Sequence, residues 1–336
     1  MIRFLKAERP TKIHSSQIAS GGSEFRLDVL SRFGLVISIA AVLIIFSILS
    51  PYFMTIQNML IIVRQASFLL ILGCALTIVL ISGGVDLSVG SAMVASSIMC
   101  AIMLKDWGKA GIFPAILITL LIGIGLGAFN GYIISRWKIN PWLTTLATAS
   151  LYRGIAFVVP AGHLVSGIPP EFSDFVSSKV LGIPVLGGAA IIVCVLSYVV
   201  LTQTAYGRHI RALGSNSEAA KYCGMPVSRY EFYIYVIAGL LAAFAGILVV
   251  GRGGSASPGA NVGIELYAIA AVVIGGTGFV GGKGSILGTV LGVLFVQSVL
   301  NGLIIIRFDT AQLKLANGLL LILAVVIDGI RSRKSR

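Results

Sequence analysis

The segment YGRHIRALGSNSEAAKYCGMP, residues 206–226, is a polar interruption in mid-chain between two groups of apolar runs. Ser215 and Glu218 have the S-x-x-E spacing of a capping box, in which each side chain accepts a hydrogen bond from the other residue's free backbone N–H. Gly224 and Pro226 are typical of the end of a short helix. The pattern predicts a capped, soluble helix over 215–222, and a helix of this kind in an apolar chain is expected to face a partner.

The composition around this segment is that of a membrane protein. Hydrophobic residues make up 57% of the 336 residues, charged residues 11%, and the mean hydropathy is +0.99. A soluble protein of this length could not cover its surface with so few charges. The net charge of +13 is scattered over short polar breaks, without interleaved aromatic residues. This distribution favours orientation in a membrane over nucleic-acid binding.

Neither a metal site nor a disulfide framework is predicted. The four cysteines contain no CxxC pair, three of them lie in apolar runs, and the three histidines show no ligand spacing (Cys74, Cys100, Cys194, Cys223; His14, His163, His209). The first apolar run starts only at Phe33, which is too late for a cleavable signal, so we expect it to remain as an anchor.

Ten apolar segments approach the length of about 17–25 residues that a bilayer crossing requires. They are 33–49, 59–81, 88–104, 112–134, 141–160, 185–202, 232–251, 264–280, 285–305 and 312–330. The sequence therefore predicts an all-α polytopic membrane protein with about ten transmembrane helices.

The positive charges predict its orientation. With the N-terminus inside, 17 of the 25 Lys and Arg residues lie inside and six outside, while Arg64 and Arg153 fall within spans. This asymmetry is what the positive-inside rule requires. We expect a cytoplasmic tail over 1–32, a transmembrane domain over 33–330 with a cytoplasmic loop at 203–231, and a basic cytoplasmic tail over 331–336.

Glycines at four-residue spacing predict close helix packing. Gly123, Gly127 and Gly131 form a GxxxGxxxG row, and Gly288 and Gly292 form a shorter one. Packing inside one subunit is favoured over a subunit interface.

An internal repeat is also indicated. Spans two to five and seven to ten echo each other at an offset of 170–171 residues: the Gly pairs at 83–84 and 253–254 correspond, and NGYIISR (130–136) parallels NGLIIIR (301–307). Because corresponding spans are five apart, which is an odd number, the second copy is inverted in the membrane. Many transporters have such repeats, and their substrate path lies between the copies.

The segment SGGVDLSVGS, residues 82–91, is the strongest local motif. Two glycines interrupt an apolar run before Asp86 and Ser88. Either the helix is broken here and its free backbone groups line a cavity or are buried in protein, or the segment is an ordinary cytoplasmic turn with Asp86 as a helix cap. Arg153 lies near the middle of the fifth span, where it marks a pathway or a structural pairing with an acid or with helix-end carbonyls.

No nucleotide site is predicted. Gly276, Gly278 and Gly281 match GxGxxG, but they lie in a membrane-like region and no acid follows about 20 residues on. The segment FVGGKGS lacks the Walker A spacing, so we expect no ATP hydrolysis and no other cofactor in this chain. No catalytic constellation is present, and carboxylates within spans are too scarce for a proton relay. Coupling to sodium through backbone carbonyls stays open.

Four segments in order give a family resemblance: SGGVDLSVGS, NGYIISRWKINPWLTTLATASLYRGIAF, TAYGRHIRALGSNSEAAKYCGMPV and KLANGLLLILAVVIDGIRSRK. Over roughly 33–334 the chain resembles the ribose/xylose/galactose-type monosaccharide ABC importer permeases, within the wider branched-chain amino-acid/sugar permease family.

The resemblance implies a type II ABC importer fold in the bacterial inner membrane. The implied partners are cytoplasmic ATPase subunits that use ATP, a periplasmic sugar-binding protein, and a second permease copy or a paralogue. The implied substrate-path residues are Asp86, Ser88, Asn130 and Arg153. The implied ATPase-coupling residues are Arg208, Arg211, Ser215, Glu218, Ala219, Ala220 and Gly224.

Two other functional classes compete with the permease subunit. A self-sufficient, ion-coupled carrier would transport small solutes with this chain alone. The other class is a multispan membrane enzyme or scaffold. The enzyme would need a polar catalytic cluster, and the sequence offers none.

Overall fold

The computed structural model describes residues 34–180 and 182–334, and side chains up to residue 330. The chain is almost entirely helical. The helices are α1 Gly34–Leu49, α2 Ile56–Ile81, α3 Val89–Trp107, α4 Ile112–Trp137, α5 Pro141–Val158, α6 Pro170–Ser177, α7 Val185–Gln203, α8 Ala205–Ser215, α9 Ser217–Tyr222, α10 Val227–Gly253, α11 Ile264–Ile274, α12 Ile286–Ile305 and α13 Thr310–Lys334. Short strands are β1 Val165–Ser166, β2 Lys179–Val180, β3 Ile183–Pro184 and β4 Ser255–Ala256.

Each of the ten predicted spans coincides with a helix. Seven helices within the described ranges are long and apolar enough to cross a membrane: α2, α3, α4, α7, α10, α12 and α13. Helices α1 and α11 are shorter apolar helices, and α5 contains polar threonines and Arg153. The all-α polytopic fold is therefore confirmed, with seven full-length spans and three shorter or more polar helices at the remaining positions.

The predicted span 264–280 is too long. Helix α11 ends at Ile274, and Gly276 adopts a φ of +98°, a left-handed conformation that glycine reaches without steric cost. Residues 275–285 are a glycine-rich loop instead of the last turns of a helix. Helix α11 is consequently about a half-span.

Helix contacts follow the predicted repeat. Helix α10 packs against α3 and α4, and α2 packs correspondingly against α11 and α12. Helix α3 contacts α5, and α11 contacts α13. This pattern is unchanged when α2–α5 and α10–α13 are exchanged. The end of α2 lies beside the start of α10, with the Tyr235 hydroxyl adjacent to Gly84, so the two equivalent helices run in opposite directions.

The glycine rows pack inside the subunit, as predicted. A Cβ at Gly123 would lie 2.6 Å from the Gly239 carbonyl oxygen of α10, and one at Gly131 would lie 2.7 Å from the Phe232 carbonyl oxygen. On the other row, Gly288 lies against the backbone of Gly275. Backbones approach this closely only where no side chain intervenes, which gives α4 and α10 the tightest kind of membrane packing.

The connections gather at two ends. At one end, which we call the α6 end, β1 pairs antiparallel with β4, and the exposed Lys109 and Glu171 form an ion pair of 3.2 Å. At the opposite end, which we call the α8–α9 end, the loop 82–88 and the loop 275–285 meet helices α8 and α9. Between the two ends, α4, α5, α7 and α13 expose many large apolar side chains, as expected of a surface that faces lipid.

Candidate functional site

A buried polar network joins three of the four predicted path residues. The Asp86 carboxylate accepts hydrogen bonds from the Ser88 backbone N–H at 2.8 Å and from the Ser88 hydroxyl at 2.6 Å. The Asn130 side-chain amide donates to the Ser88 hydroxyl oxygen at 2.7 Å. All three residues are at most 2% exposed. The network therefore ties the start of α3 to α4.

The turn that carries Asp86 interrupts the chain between α2 and α3. Helix α2 stops at Ile81, and Gly83 adopts a φ of +83°. The N-cap of α3 is Ser88, whose own backbone N–H is the donor to the Asp86 carboxylate. The Val85 carbonyl accepts hydrogen bonds from the hydroxyls of Tyr235 at 3.3 Å and Thr145 at 3.4 Å. The broken helix is thus buried in protein, with its polar groups partnered by α5 and α10.

Tyr152 belongs to the same network, although the sequence did not point to it. Its hydroxyl donates to the Leu126 carbonyl at 2.7 Å and lies 3.2 Å from the Asn130 side-chain oxygen. The side chain is 1% exposed. Tyr152 lies on α5 directly before Arg153. Only its hydrogen bonds to α4 show that it joins α5 to the network.

Arg153 lies apart from that network and faces the loop before α11. Its Nη1 group donates to the carbonyl oxygens of Ala260 at 3.0 Å and Pro258 at 3.3 Å. The side chain is half-buried, and its charge attracts that of Glu265. Arg153 is thus held by two carbonyls of the loop between β4 and α11 and not by the end of a helix.

Helices α3 and α11 meet near their first turns. Gly90 of α3 has no side chain in the place that the Glu265 carboxylate of α11 occupies, and a Cβ there would lie 3.0 Å from the Ile264 Cγ2. Glu265 Oε2 is buried and has no hydrogen-bond partner among the described residues. Two helix starts, an arginine and an incompletely partnered carboxylate therefore converge where the two repeats meet, a place where transporters bind substrate.

The predicted capping box at Ser215 is wrong. Helix α8 runs through Ser215, whose hydroxyl donates to the Arg211 carbonyl at 2.8 Å. The cap of α9 is Asn216, which has an extended backbone and accepts from the Ala219 N–H at 2.9 Å. Asn is as good an N-cap as Ser, and only residue 216 has the non-helical backbone that a cap requires. The single predicted helix over 215–222 is thus the end of α8, a break and the short α9.

The other residues of the segment have separate surroundings. Arg208, Glu218 and Ala219 are exposed, whereas Ala220 is buried. Arg211 is half-buried, and its Nη1 donates to the Gly284 carbonyl at 3.0 Å. Gly224 has a φ of +81° and ends α9, as predicted.

A glycine junction joins α8 to both repeats. Gly214 of α8 lies against the Ile81 carbonyl, and a Cβ there would be 2.6 Å from the Gly282 nitrogen. The Gly282 N–H donates to the Ile81 carbonyl at 2.8 Å, and a Cβ at Gly281 would lie 2.9 Å from the Gly83 Cα. Beside this junction is a cavity of about 470 Å³, lined by Ser82, Asn216, Glu231 and Tyr235 among others. The loop after α2, the loop after α11 and α8 therefore share one backbone contact.

The family described as "Branched-chain amino acid transport system / permease component" matches residues 58–327. The chain belongs to this family. Among curated proteins, this permease is 35% identical over 306 residues to the D-allose transport system permease protein AlsC of Escherichia coli, covering 90% of this chain and 93% of that protein. It is 36% identical over 308 residues to the ribose import permease protein RbsC of Bacillus subtilis, covering 90% and 94%.

A further relative is the ribose import permease protein RbsC of Haemophilus influenzae, 35% identical over 314 residues, with 92% and 95% covered. No solved structure matches the chain. The permease is thus a multi-pass membrane protein whose relatives are transport components.

Proposed function

We propose that this permease is the membrane-spanning subunit of an ABC importer for a monosaccharide or a related small polyol. The observation that carries the proposal is the similarity to ribose and D-allose permeases, which extends over nine-tenths of the chain. The chain itself has no enzymatic role in this proposal, and the ATP is used by separate ATPase subunits.

The substrate path runs where α3 and α11 meet. Arg153, which is half-buried, and Glu265, whose Oε2 has no hydrogen-bond partner among the described residues, supply the polar groups there. Asp86, Ser88 and Asn130 hold the start of α3. Sugar hydroxyl groups both donate and accept, so a guanidinium and a carboxylate side by side suit them. A second permease copy or a paralogue completes the path, and a periplasmic binding protein delivers the sugar.

The α8–α9 end is the docking surface for the ATPase. The exposed face of α9 includes Glu218, Ala219 and Tyr222, of which Tyr222 is 90% exposed. Both termini lie on the same, cytoplasmic side of the inner membrane, because 17 of the 25 basic residues then lie inside.

Uptake in proteoliposomes tests the transport proposal. This permease, its co-expressed ATPase and the binding protein are reconstituted together, and labelled ribose and D-allose uptake is followed with and without ATP inside. We expect uptake only with all components and ATP. Uptake by this chain alone on an ion gradient would show a secondary carrier and refute the proposal.

Substitution on α9 tests the docking surface. Ala219→Arg adds a bulky charge to the exposed face, and we expect the ATPase to be lost on co-purification. Ala311→Arg is the matched control, because Ala311 is also exposed but begins α13 at the α6 end. Ala220 is unsuitable, since it is buried and its replacement would disturb folding. Equal retention of the ATPase in both variants would argue against docking at α9.

A further inference from the structure

A groove with positive charge opens between α4 and α10 at the α8–α9 end. Its volume is about 650 Å³, and it is formed by the last turns of α4 and the first turns of α10. Tyr132, Ser135 and Arg136 line one wall, and Ser228, Arg229 and Tyr233 line the other. The floor is closed by the tight contact of Gly131 with Phe232. The groove is distinct from the path and from the face of α9.

Its charges are not neutralised within the part of the chain that the structure describes. Lys138 at the rim forms an ion pair of 2.6 Å with Glu231. Among the described residues, Glu231 is the only carboxylate beside the groove, so its charge is already used by Lys138. The side chains of Arg136 and Arg229 are exposed, and their guanidinium groups form no ion pair or hydrogen bond with any described residue. Two arginines therefore face the same cavity without an acidic partner, and the Ser135 and Ser228 hydroxyls lie beside them.

The surroundings are those of a bilayer interface. On α4, exposed apolar side chains follow one another at helical spacing toward Arg136, interrupted by Gly125 in the middle of the helix: Phe113, Leu117, Leu121, Phe129 and Tyr132. Trp137 and Tyr233 are also exposed, and the Tyr132 and Trp137 rings meet edge to face at 5.9 Å. A lipid-facing stripe that ends in aromatic and then basic residues is the arrangement found at the headgroup level.

We propose that this groove binds the phosphate of an anionic phospholipid, with Arg136 and Arg229 on the phosphate oxygens and the acyl chains along the α4 stripe. Arginine holds phosphate through its fixed fork of N–H donors, and basic pockets between transmembrane helices on the cytoplasmic side recognise acidic headgroups. The exposed apolar side chains along α4, which lead to the groove, favour a lipid over the ATPase as the occupant. The bound lipid fixes the α4–α10 pair at the end where the ATPase acts.

Native mass spectrometry of the purified full chain tests the proposal with two lipids of identical acyl chains, phosphatidylglycerol and phosphatidylcholine. A basic residue near an anionic lipid contributes roughly a fivefold preference, so the two arginines predict a clear preference for phosphatidylglycerol. The double variant Arg136→Gln/Arg229→Gln should bind both lipids about equally. The variant Arg136→Lys/Arg229→Lys keeps the charge and should retain most of the preference.

The control removes two charges at the other end. Lys179 and Lys314 are exposed there, and Lys179→Gln/Lys314→Gln should leave the preference unchanged. No preference in the original chain, a preference that persists in the Gln variant, or an equal loss in the control would each overturn the proposal.

Tryptophan quenching locates the lipid. With Trp107 and Trp142 replaced by Phe, Trp137 is the remaining tryptophan and reports on the groove. Phosphatidylglycerol brominated near the headgroup end of its chains should quench Trp137 more than brominated phosphatidylcholine does, and the Gln variant should abolish the difference. Equal quenching by both lipids would indicate unspecific contact. Loss of quenching when the ATPase is added would assign the groove to that protein and overturn the lipid site.

Discussion

Replacement of Gly214 by alanine should disrupt the contact between α8 and the two repeats. Helical residues usually gain about 1 kcal/mol from Gly→Ala. Here the added methyl would lie 2.6 Å from the Gly282 nitrogen and 2.9 Å from the Ile81 carbonyl carbon, and closer still to the Ile81 oxygen. Ordinary contacts begin near 3.5 Å, so the backbones must separate by roughly 0.6–1.6 Å, with the largest shift at the Ile81 oxygen. All three neighbours are backbone atoms and cannot rotate away.

The separation has a calculable cost. Overpacking of this kind costs about 1–3 kcal/mol. The 2.8 Å hydrogen bond from Gly282 N–H to the Ile81 carbonyl would stretch toward its limit, which removes about 0.5–1.5 kcal/mol more. After the gain in helix propensity is subtracted, we expect Gly214→Ala to lower the free energy of unfolding by about 1–3 kcal/mol.

Two measurements separate stability from coupling. The Tm of the purified variant reports the loss of stability, and sugar taken up per ATP hydrolysed in the reconstituted importer reports coupling. Both should fall. Gly125→Ala is the matched control, because Gly125 is also helical and nothing lies within 4 Å of its added methyl, so its Tm should hold or rise. If Gly214→Ala behaves like Gly125→Ala in both assays, the glycine junction has neither role.

Three further substitutions test other contacts. Asn130→Ala leaves the buried Ser88 hydroxyl oxygen without its donor and should lower the free energy of unfolding by about 1–3 kcal/mol. The measurement is a lower Tm, and an unchanged Tm would show that this hydrogen bond does not stabilise the fold. Arg153→Leu removes the donor to two loop carbonyls and should reduce sugar uptake more than Arg153→Lys, which keeps the positive charge. Equal uptake by the two variants would show that the charge at residue 153 has no role in transport. Gly127→Val meets the Tyr235 carbonyl and should prevent α4 from packing on α10, measured as loss of folded protein after extraction.

The positions of the helices could be predicted because the hydropathy of each segment depends on its own residues and not on its contacts with other segments. Each of the ten apolar runs became a helix, and the two glycine rows pack where their spacing indicated. The end of α11 was predicted wrongly because Gly275 and Gly276 are apolar enough to count as a span. Their backbone conformation, with a φ of +98° at Gly276, ends the helix all the same. Hydropathy does not report on backbone freedom.

The candidate site was predictable only in part, since it depends on contacts between distant helices. Asp86 and Ser88 stood out because glycines interrupt an apolar run before them, and the family resemblance pointed to Asn130. The structure shows that Asn130, on α4, is hydrogen-bonded to Ser88. Tyr152 gave no signal, because a tyrosine in a span is most often ordinary packing. Glu265 lies at the edge of the predicted span 264–280, but its position beside Gly90 depends on how α3 and α11 cross.

The polar segment 206–226 contacts both repeats through the backbone of α8. Gly214 contacts Ile81, the last residue of α2, and Gly282, in the loop after α11. Arg211 holds the same loop through Gly284. These are backbone contacts without compressible side chains, so α8 cannot shift by even an ångström without displacing both loops or separating from them. One loop leads directly to Asp86 and α3, and the other follows α11. A force applied to α8 therefore reaches both α3 and α11, which border the proposed path, through a junction that belongs to neither repeat alone.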